Sequence, residues 1–193
     1  MKVIDNFLSE VDFLNLNAFL FGSLISWNYN DLKDLEIPDD NLASSHFYHI
    51  FHDHEGVSDR FYMLNPLIIK LNISAIYRIK ANLDPYRGNE GYKGIFHYDF
   101  INSENKPSKN MTTGIYYANT NNGYTELEDG TIIESVANRM LLFPSNTLHR
   151  GVTQTDTKKR VVINFNFYTE EGGWQPLFLC YTIFVGRNMG VTE

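Results

Sequence analysis

The second half of the chain, from Ile73 onward, is a succession of short strand-like runs separated by Gly, Asn, Pro and Asp. Aromatic residues make up 15 % of the sequence, and large flat side chains of this kind pack well on pleated sheets. Short strands with repeated turn signals predict a jelly roll or barrel. The expected strands are 74–83, 92–99, 111–118, 123–127, 131–135, 139–143, 149–153, 159–168 and 177–185.

The first half carries two helical signals. Ser9 precedes apolar residues at helical spacing and predicts a helix that ends near Gly22. Asn65-Pro66 predicts the start of a second helix, which runs through 67–71. Short strands are expected at 2–7 and 45–52. The order, helices before most strands, predicts a mainly β (α+β) domain, a jelly roll with N-terminal helices packed on one outer face.

Composition narrows the range of partners. The 193 residues contain no repeat, linker or low-complexity tract, so we expect one domain over 1–193. The net charge of −7 disfavours a nucleic-acid partner, which would require clustered Lys and Arg. No apolar run reaches the length of about 18 residues that a membrane span needs, so no membrane partner is expected. The one cysteine, Cys180, fits a reducing compartment, and we expect the cytoplasm.

The chemistry-bearing residues fall inside the strand-rich half. His97 and Asp99 are two residues apart in a strand-like run, so their side chains point the same way. This pair alone is weak evidence for a functional site. However, His149 follows later in the chain, and Arg160 comes after a turn at 154–158. A hairpin there would set Arg160 across from His149 on the neighbouring strand.

Two histidines and one carboxylate form the facial triad of non-haem Fe(II) oxygenases, which leaves three metal positions open. A cosubstrate with a distal carboxylate also needs a fixed cation, and arginine binds a carboxylate at two points. Alternation along 160–167 supports a polar interior on one side of the strand. One face is apolar: Val161, Ile163, Phe165 and Phe167. The other face carries Arg160, Val162, Asn164 and Asn166.

With these motifs in order, the chain resembles the Fe(II)/2-oxoglutarate-dependent dioxygenase superfamily, in its prolyl-hydroxylase-like branch. Three further stretches, 77–83, 113–119 and 138–144, look like strands of that branch. The resemblance covers about 60–170 and implies a double-stranded β-helix. One departure is Gly123-Tyr124, where family members often have Gly-Gly.

The resemblance implies a role for each matching residue. The iron ligands would be His97, Asp99 and His149. The cosubstrate contacts would be Arg160, Tyr117, Asn82 and Asn164. Arg160 would pair with the C5 carboxylate of 2-oxoglutarate, and Tyr117 would donate a hydrogen bond to it. Asn82 stands where some relatives have a tyrosine, and Asn164 shares the strand face of Arg160.

The implied function is a dioxygenase that uses Fe(II), 2-oxoglutarate and O2. It would hydroxylate a C–H bond of a peptidyl substrate, for example a prolyl residue, or of a small molecule, with succinate and CO2 as co-products. Two alternatives stay open: a non-catalytic β-helix binding module, and a cupin-type metal enzyme that does not use 2-oxoglutarate. Arg160 distinguishes the dioxygenase from the cupin-type enzyme, because only a carboxylate-bearing cosubstrate needs that cation.

Four further histidines crowd one stretch: His46, His49, His52 and His54. They predict either a second metal site or, more simply, a strand edge or pocket mouth.

Overall fold

A computed structural model of the protein describes residues 1–31, 45–101, 108 and 110–169. Helices α1 (Glu10–Phe21) and α2 (Asn65–Leu71) form in the first half, and a 3₁₀ turn (Phe61–Leu64) leads into α2. The strands are β1 (Lys2–Ile4), β2 (Asn28–Asn30), β3 (His46–His52), β4 (Ile73–Pro85), β5 (Thr112–Tyr117), β6 (Tyr124–Leu127), β7 (Ile132–Glu134), β8 (Arg139–Pro144), β9 (His149–Val152) and β10 (Lys159–Thr169). The strand expected at 177–185 lies outside the described residues.

The helix boundaries follow from local chemistry. The hydroxyl of Ser9 accepts a hydrogen bond from the backbone N–H of Asp12 at 3.2 Å, which satisfies one free donor of the first turn of α1. Gly22 then ends α1, and Pro66 occupies the first turn of α2, where its missing N–H costs nothing. Both predicted helices are present, and the first strand is shorter than expected.

The strands form two sheets that face each other. The major sheet has the order β1-β8-β5-β10-β4-β3-β2, and the minor sheet has the order β7-β6-β9. Strand β10 is central, since it pairs antiparallel with β4 on one edge and with β5 on the other. This arrangement confirms the predicted jelly roll.

The two faces of β10 bury two different clusters. Its outer face packs against the helices, in a core that includes Leu16, Leu20, Leu67, Ile163 and Phe165. Its inner face packs in a smaller cluster with Ile115, Leu127, Phe143 and Val162. The helices therefore cover one outer face of the major sheet, as predicted, and the polar residues of the inner face point between the sheets. None of the helices in the described ranges has the length and apolarity to cross a membrane.

Asn138 joins the N-terminus to the major sheet. Its backbone is left-handed (φ 61°), which asparagine tolerates better than most residues. Its side-chain oxygen accepts from Leu8 N at 2.8 Å and from the Tyr116 hydroxyl at 3.1 Å, and its amide donates to Leu8 O at 3.0 Å. This one buried side chain thus makes three hydrogen bonds, two with the backbone of Leu8 and one with Tyr116.

We expect Asn138→Ala to lower the free energy of unfolding by about 2–4 kcal/mol, because the buried partners lose their hydrogen bonds. Asn138→Gly should cost roughly 1 kcal/mol less, since glycine keeps the left-handed backbone. Urea denaturation measures both values. Asn6→Ala is the matched control, because Asn6 is exposed and also left-handed (φ 49°). If Asn138→Ala lowered the free energy of unfolding no more than Asn6→Ala does, the hydrogen bonds of the Asn138 side chain would not be stabilising.

Candidate active site

Three side chains converge between the sheets. The ligand atoms of His97, Asp99 and His149 all lie within 4.8 Å of one another. The Nε2 atoms of His97 and His149 are each 3.8 Å from Asp99 Oδ1. A pair of backbone hydrogen bonds joins His97 to His149, at 3.0 and 3.1 Å, and sets their rings 4.7 Å apart. The predicted convergence is present.

The segment that carries His97 and Asp99 is not the continuous strand expected at 92–99. It touches β9 through two isolated bridges, Lys93 with Val152 and His97 with His149. The two bridges differ in register by one residue, because Lys93 and His97 are four positions apart whereas Val152 and His149 are three apart. One extra residue in the His97 segment therefore interrupts the ladder. The other edge of β9 is taken by β6.

The histidines present their Nε2 atoms to the site. His97 Nδ1 lies 3.1 Å from Ile95 O, and His149 Nδ1 lies 3.2 Å from Thr147 O. A carbonyl oxygen only accepts, so in the neutral form of each imidazole Nδ1 carries the proton and Nε2 keeps a free lone pair. Carbonyl contacts of this kind fix the tautomer and ring orientation of metal-binding histidines.

The three triad side chains differ in their exposure to solvent. The side chains of Asp99 and His149 are 3 % and 4 % exposed, whereas that of His97 is 43 % exposed. Burial alone would raise the pKa of Asp99, but His149, His97, Arg78 and a hydrogen bond from Asn166 together lower it, so the carboxylate stays charged. Burial lowers the pKa of His149, against the opposing effect of the Asp99 carboxylate. Two imidazole nitrogens and one carboxylate suit Fe(II), with an approach from solvent past His97.

Arg160 does not lie on a strand next to His149, which corrects the expected hairpin. Strand β9 belongs to the minor sheet and β10 to the major sheet, so the chain crosses between sheets at 153–158. The edges of both strands are already occupied: β9 by β6 and the His97 segment, β10 by β4 and β5. Arg160 still points between the sheets, from the opposite wall.

The guanidinium of Arg160 is buried and precisely held. Its Nε donates to the Ser135 hydroxyl at 2.9 Å, and its Nη1 lies 3.7 Å from Asp84 Oδ2. Arg160 and Asp84 expose 3 % and 1 % of their side chains. The guanidinium also lies 5.7 Å from the centre of the Tyr117 ring. A fixed, water-shielded cation of this kind suits the carboxylate of a small ligand.

The other predicted cosubstrate residues occupy the same inner faces. Burial raises the pKa of Tyr117, so its phenol stays protonated, and it donates to Thr125 Oγ1 at 2.7 Å. Asn82 is buried on β4 opposite Val162. The Oδ1 atom of Asn164 is buried and accepts no hydrogen bond from the residues that the structure describes. A buried polar oxygen left in this way fits a site that a polar ligand completes.

Gly123 leaves room for the stem of Arg160. A Cβ at this position would lie 2.8 Å from Arg160 Cδ and 2.9 Å from the carbonyl oxygen of Val152. Gly123→Ala should therefore displace Arg160 and cost about 1–3 kcal/mol of stability. It should also raise the apparent KM for 2-oxoglutarate, the ligand that the resemblance implies for Arg160, about tenfold. Steady-state kinetics and urea denaturation measure the two effects. Gly56→Ala is the control, because a Cβ there meets nothing within 4 Å. An unchanged KM in Gly123→Ala would contradict this role.

Sequence reasoning missed Arg78 and Asp84, and it placed Asn166 on the inner face of β10 without assigning its contact. Arg78 contacts Asp99, Asp84 contacts Arg160, and Asn166 donates to Asp99 Oδ2 at 2.9 Å. The sequence did carry a signal for Arg78 and Asp84, because they alternate along β4 with Asn82 and so share its inner face. Their interaction partners could not be read from that pattern.

The four clustered histidines do not form a second metal site. Within the ranges given above, the candidate metal-ligand groups reduce to His97, Asp99 and His149. The ring of His49 is tied to Ser26 O at 2.8 Å and to Ser58 Oγ at 3.0 Å. His54 is 86 % exposed beside Glu55. The expected strand edge does not describe them either, because His46 and His49 are buried on β3, which pairs with β2 on one side and with β4 on the other.

Comparison with known proteins agrees with this geometry. Residues 82–168 match the family model of the 2OG-Fe(II) oxygenase superfamily. No curated protein matches the chain. The predicted binding module and cupin-type enzyme are not better supported than this family.

Solved structures share the fold at low sequence identity. The viral collagen prolyl hydroxylase vCPH from Paramecium Bursaria Chlorella virus-1, in complex with 2OG, has a TM-score of 0.55 at 16 % identity, covering 87 % of this chain and 96 % of that chain. A prolyl hydroxylase from Trichoplax adhaerens, in complex with a hypoxia inducible factor peptide fragment, has a TM-score of 0.52 at 16 % identity, covering 88 % and 83 %.

A third neighbour has a different chemistry. SnoN, an alpha-ketoglutarate-dependent non-heme epimerase from nogalamycin biosynthesis, has a TM-score of 0.57 at 11 % identity, covering 86 % of this chain and 76 % of that chain. The match over 82–168, the shared fold and the converging triad thus make this chain similar to the 2OG-Fe(II) oxygenase superfamily in sequence, in architecture and in its set of candidate metal ligands.

Proposed function

We propose that the protein holds Fe(II) through His97, Asp99 and His149 and hydroxylates a C–H bond of a peptidyl or small-molecule substrate, releasing succinate and CO2. One observation carries the proposal. Two imidazole Nε2 atoms and one carboxylate, all within 4.8 Å, lie between the sheets and inside the segment that matches the oxygenase family.

Each residue has a defined task in this proposal. The bound iron supplies the activation of O2, coupled to oxidative decarboxylation of 2-oxoglutarate. The three triad side chains would hold the iron and would leave positions open for the cosubstrate and O2. Arg160 would bind the distal carboxylate of 2-oxoglutarate, and Tyr117 would turn its one hydroxyl proton from Thr125 Oγ1 to the same carboxylate. Asn82 and Asn164 are proposed to contact the same molecule from β4 and β10.

The inner apolar cluster excludes water from the cosubstrate. Ile115, Leu141, Phe143 and Val162 line the space between the sheets and are at most 5 % exposed. Charge interactions are stronger where water is absent, so the pairing of a carboxylate with Arg160 gains from this wall. Asp84 shares the guanidinium of Arg160, which keeps the cation fixed before 2-oxoglutarate binds.

The substrate class is proposed at the level of a peptide or a small molecule. The neighbours named for prolyl hydroxylation favour a prolyl peptide, and the epimerase from nogalamycin biosynthesis favours a small molecule. The same fold hosts both kinds of substrate, so the site and not the fold decides between them. Addition of poly-L-proline to the loaded enzyme, with hydroxyproline as the readout, tests the peptidyl choice.

The test of the function is an anaerobic titration of the metal-free protein with Fe(II) and 2-oxoglutarate. We expect a saturable visible charge-transfer band from the chelate and, after admission of O2, formation of succinate. Absence of the band at any concentration would sink the proposal.

Two further features of the chain belong to the proposal. The cytoplasm is proposed as its location because Cys180 is the one cysteine, which suits a reducing compartment. A single domain over 1–193 is proposed because the helices of the first half pack on the major sheet of the second half.

A further inference from the structure

The two oxygens of the Asp99 carboxylate have different neighbours. Oδ2 accepts a hydrogen bond from Asn166 Nδ2 at 2.9 Å. Oδ1 faces the Nε2 atoms of His97 and His149, each at 3.8 Å. A hydrogen bond on one oxygen therefore fixes the carboxylate plane and directs the other oxygen toward the imidazoles.

Asn166 is itself held on the central strand of the major sheet. It is fully buried on β10, and its Nδ2 also lies 3.3 Å from Thr113 Oγ1 on β5. The hydroxyl of Thr113 is 2.9 Å from that of Ser145. The amide that orients Asp99 is thus anchored by a buried polar chain, which leaves it little freedom to turn.

Arg78 approaches the same carboxylate from β4. Its Nη2 lies 3.6 Å from Asp99 Oδ1 and 3.4 Å from Asn166 Oδ1. The oxygen that Arg78 approaches is the one that faces both imidazoles. A cation therefore stands beside the position where a metal ion would bind.

We propose that Asn166 and Arg78 are opposing positioning residues for the Asp99 carboxylate. Asn166 orients it and raises metal affinity, whereas Arg78 balances its charge in the metal-free protein and lowers metal affinity. This inference rests on the proposed metal site.

The sign for Arg78 follows from electrostatics. A guanidinium near a divalent cation repels it, and this repulsion is strong where the carboxylate is nearly dry. The same guanidinium stabilises Asp99 when no metal is present. Removal of the charge thus weakens the metal-free state and relieves the metal-bound state, and both changes favour binding.

The test compares four full-length proteins: wild type, Asn166→Leu, Arg78→Gln and Arg78→Lys. Co(II) affinity is measured by competition with a chromophoric chelator, and the visible Co(II) spectrum is recorded. Asn166→Leu should bind Co(II) about 10–100-fold more weakly, with an altered spectrum. Arg78→Gln should bind it about tenfold more tightly. Arg78→Lys keeps the charge and should stay near wild type.

Opposite shifts in the two neutral variants support the inference, because general damage to the fold would weaken both. The Arg78 variants decide the matter alone if Asn166→Leu does not fold. Co(II) binding by Arg78→Gln that is no tighter than in wild type would overturn the inference. Failure of wild type to bind Co(II) at all would instead overturn the proposed metal site, so the two failures are distinguishable.

Discussion

Replacement of His97 by alanine should abolish the Fe(II)·2-oxoglutarate charge-transfer band at concentrations that saturate wild type. The loss of one of three ligands should weaken metal binding by more than about 100-fold. This exceeds the effect of losing a residue that only hydrogen-bonds to a ligand. Succinate formation should fall by at least the same factor. Anaerobic titration and a succinate assay measure the two effects.

The exposure of His97 makes this variant informative. Its side chain is 43 % exposed, so truncation removes a ligand without opening a core cavity. Thermal unfolding of the metal-free protein should therefore match wild type. His54→Ala is the matched control, because His54 is a more exposed histidine outside the triad, 86 % accessible. A normal band in His97→Ala would rule out its role as a ligand.

Local spacing predicted that two of the three triad side chains converge, whereas His149 was assigned through the resemblance to the dioxygenase superfamily. His97 and Asp99 share one side through a spacing of two residues, and that holds even where the backbone forms only isolated bridges. The same alternation placed Arg160 and Asn166 on the inner face of β10, where the structure has them. These predictions needed no knowledge of which strands are neighbours.

The pairing of strands could not be predicted in the same way. A turn at 154–158 suggested that β9 and β10 form a hairpin, but the chain crosses there from the minor to the major sheet. The edges of β10 go to β4 and β5, which lie far from it in sequence. Such pairings depend on the whole arrangement of buried faces, and a local turn signal carries no information about them.

The residues that hold the site were missed for a related reason. Arg78 and Asp84 lie on β4, and their partners Asp99 and Arg160 lie in later segments. Each is an ordinary charged residue in its own strand. Only the register of β4 against β10, in which Arg160 faces Asp84, shows that buried charges meet.

Loss of the Arg160 charge should raise the requirement for 2-oxoglutarate while leaving metal binding intact. Removal of Arg160 alone would leave Asp84 buried without its partner, which costs about 3–5 kcal/mol and could unfold the protein. The variant to make is therefore the double substitution Arg160→Met with Asp84→Asn, which removes both charges and keeps similar volumes.

We expect this double variant to need at least about 100-fold more 2-oxoglutarate for half-maximal band intensity, since a buried charged hydrogen bond is worth about 2–4 kcal/mol. Its Co(II) affinity should match wild type, because Arg160 contacts Ser135 and Asp84 and not the triad. The matched control is Arg139→Met with Asp5→Asn, which removes an ion pair that lies near the surface. Equal 2-oxoglutarate requirements in the two double variants would show that Arg160 does not bind the cosubstrate.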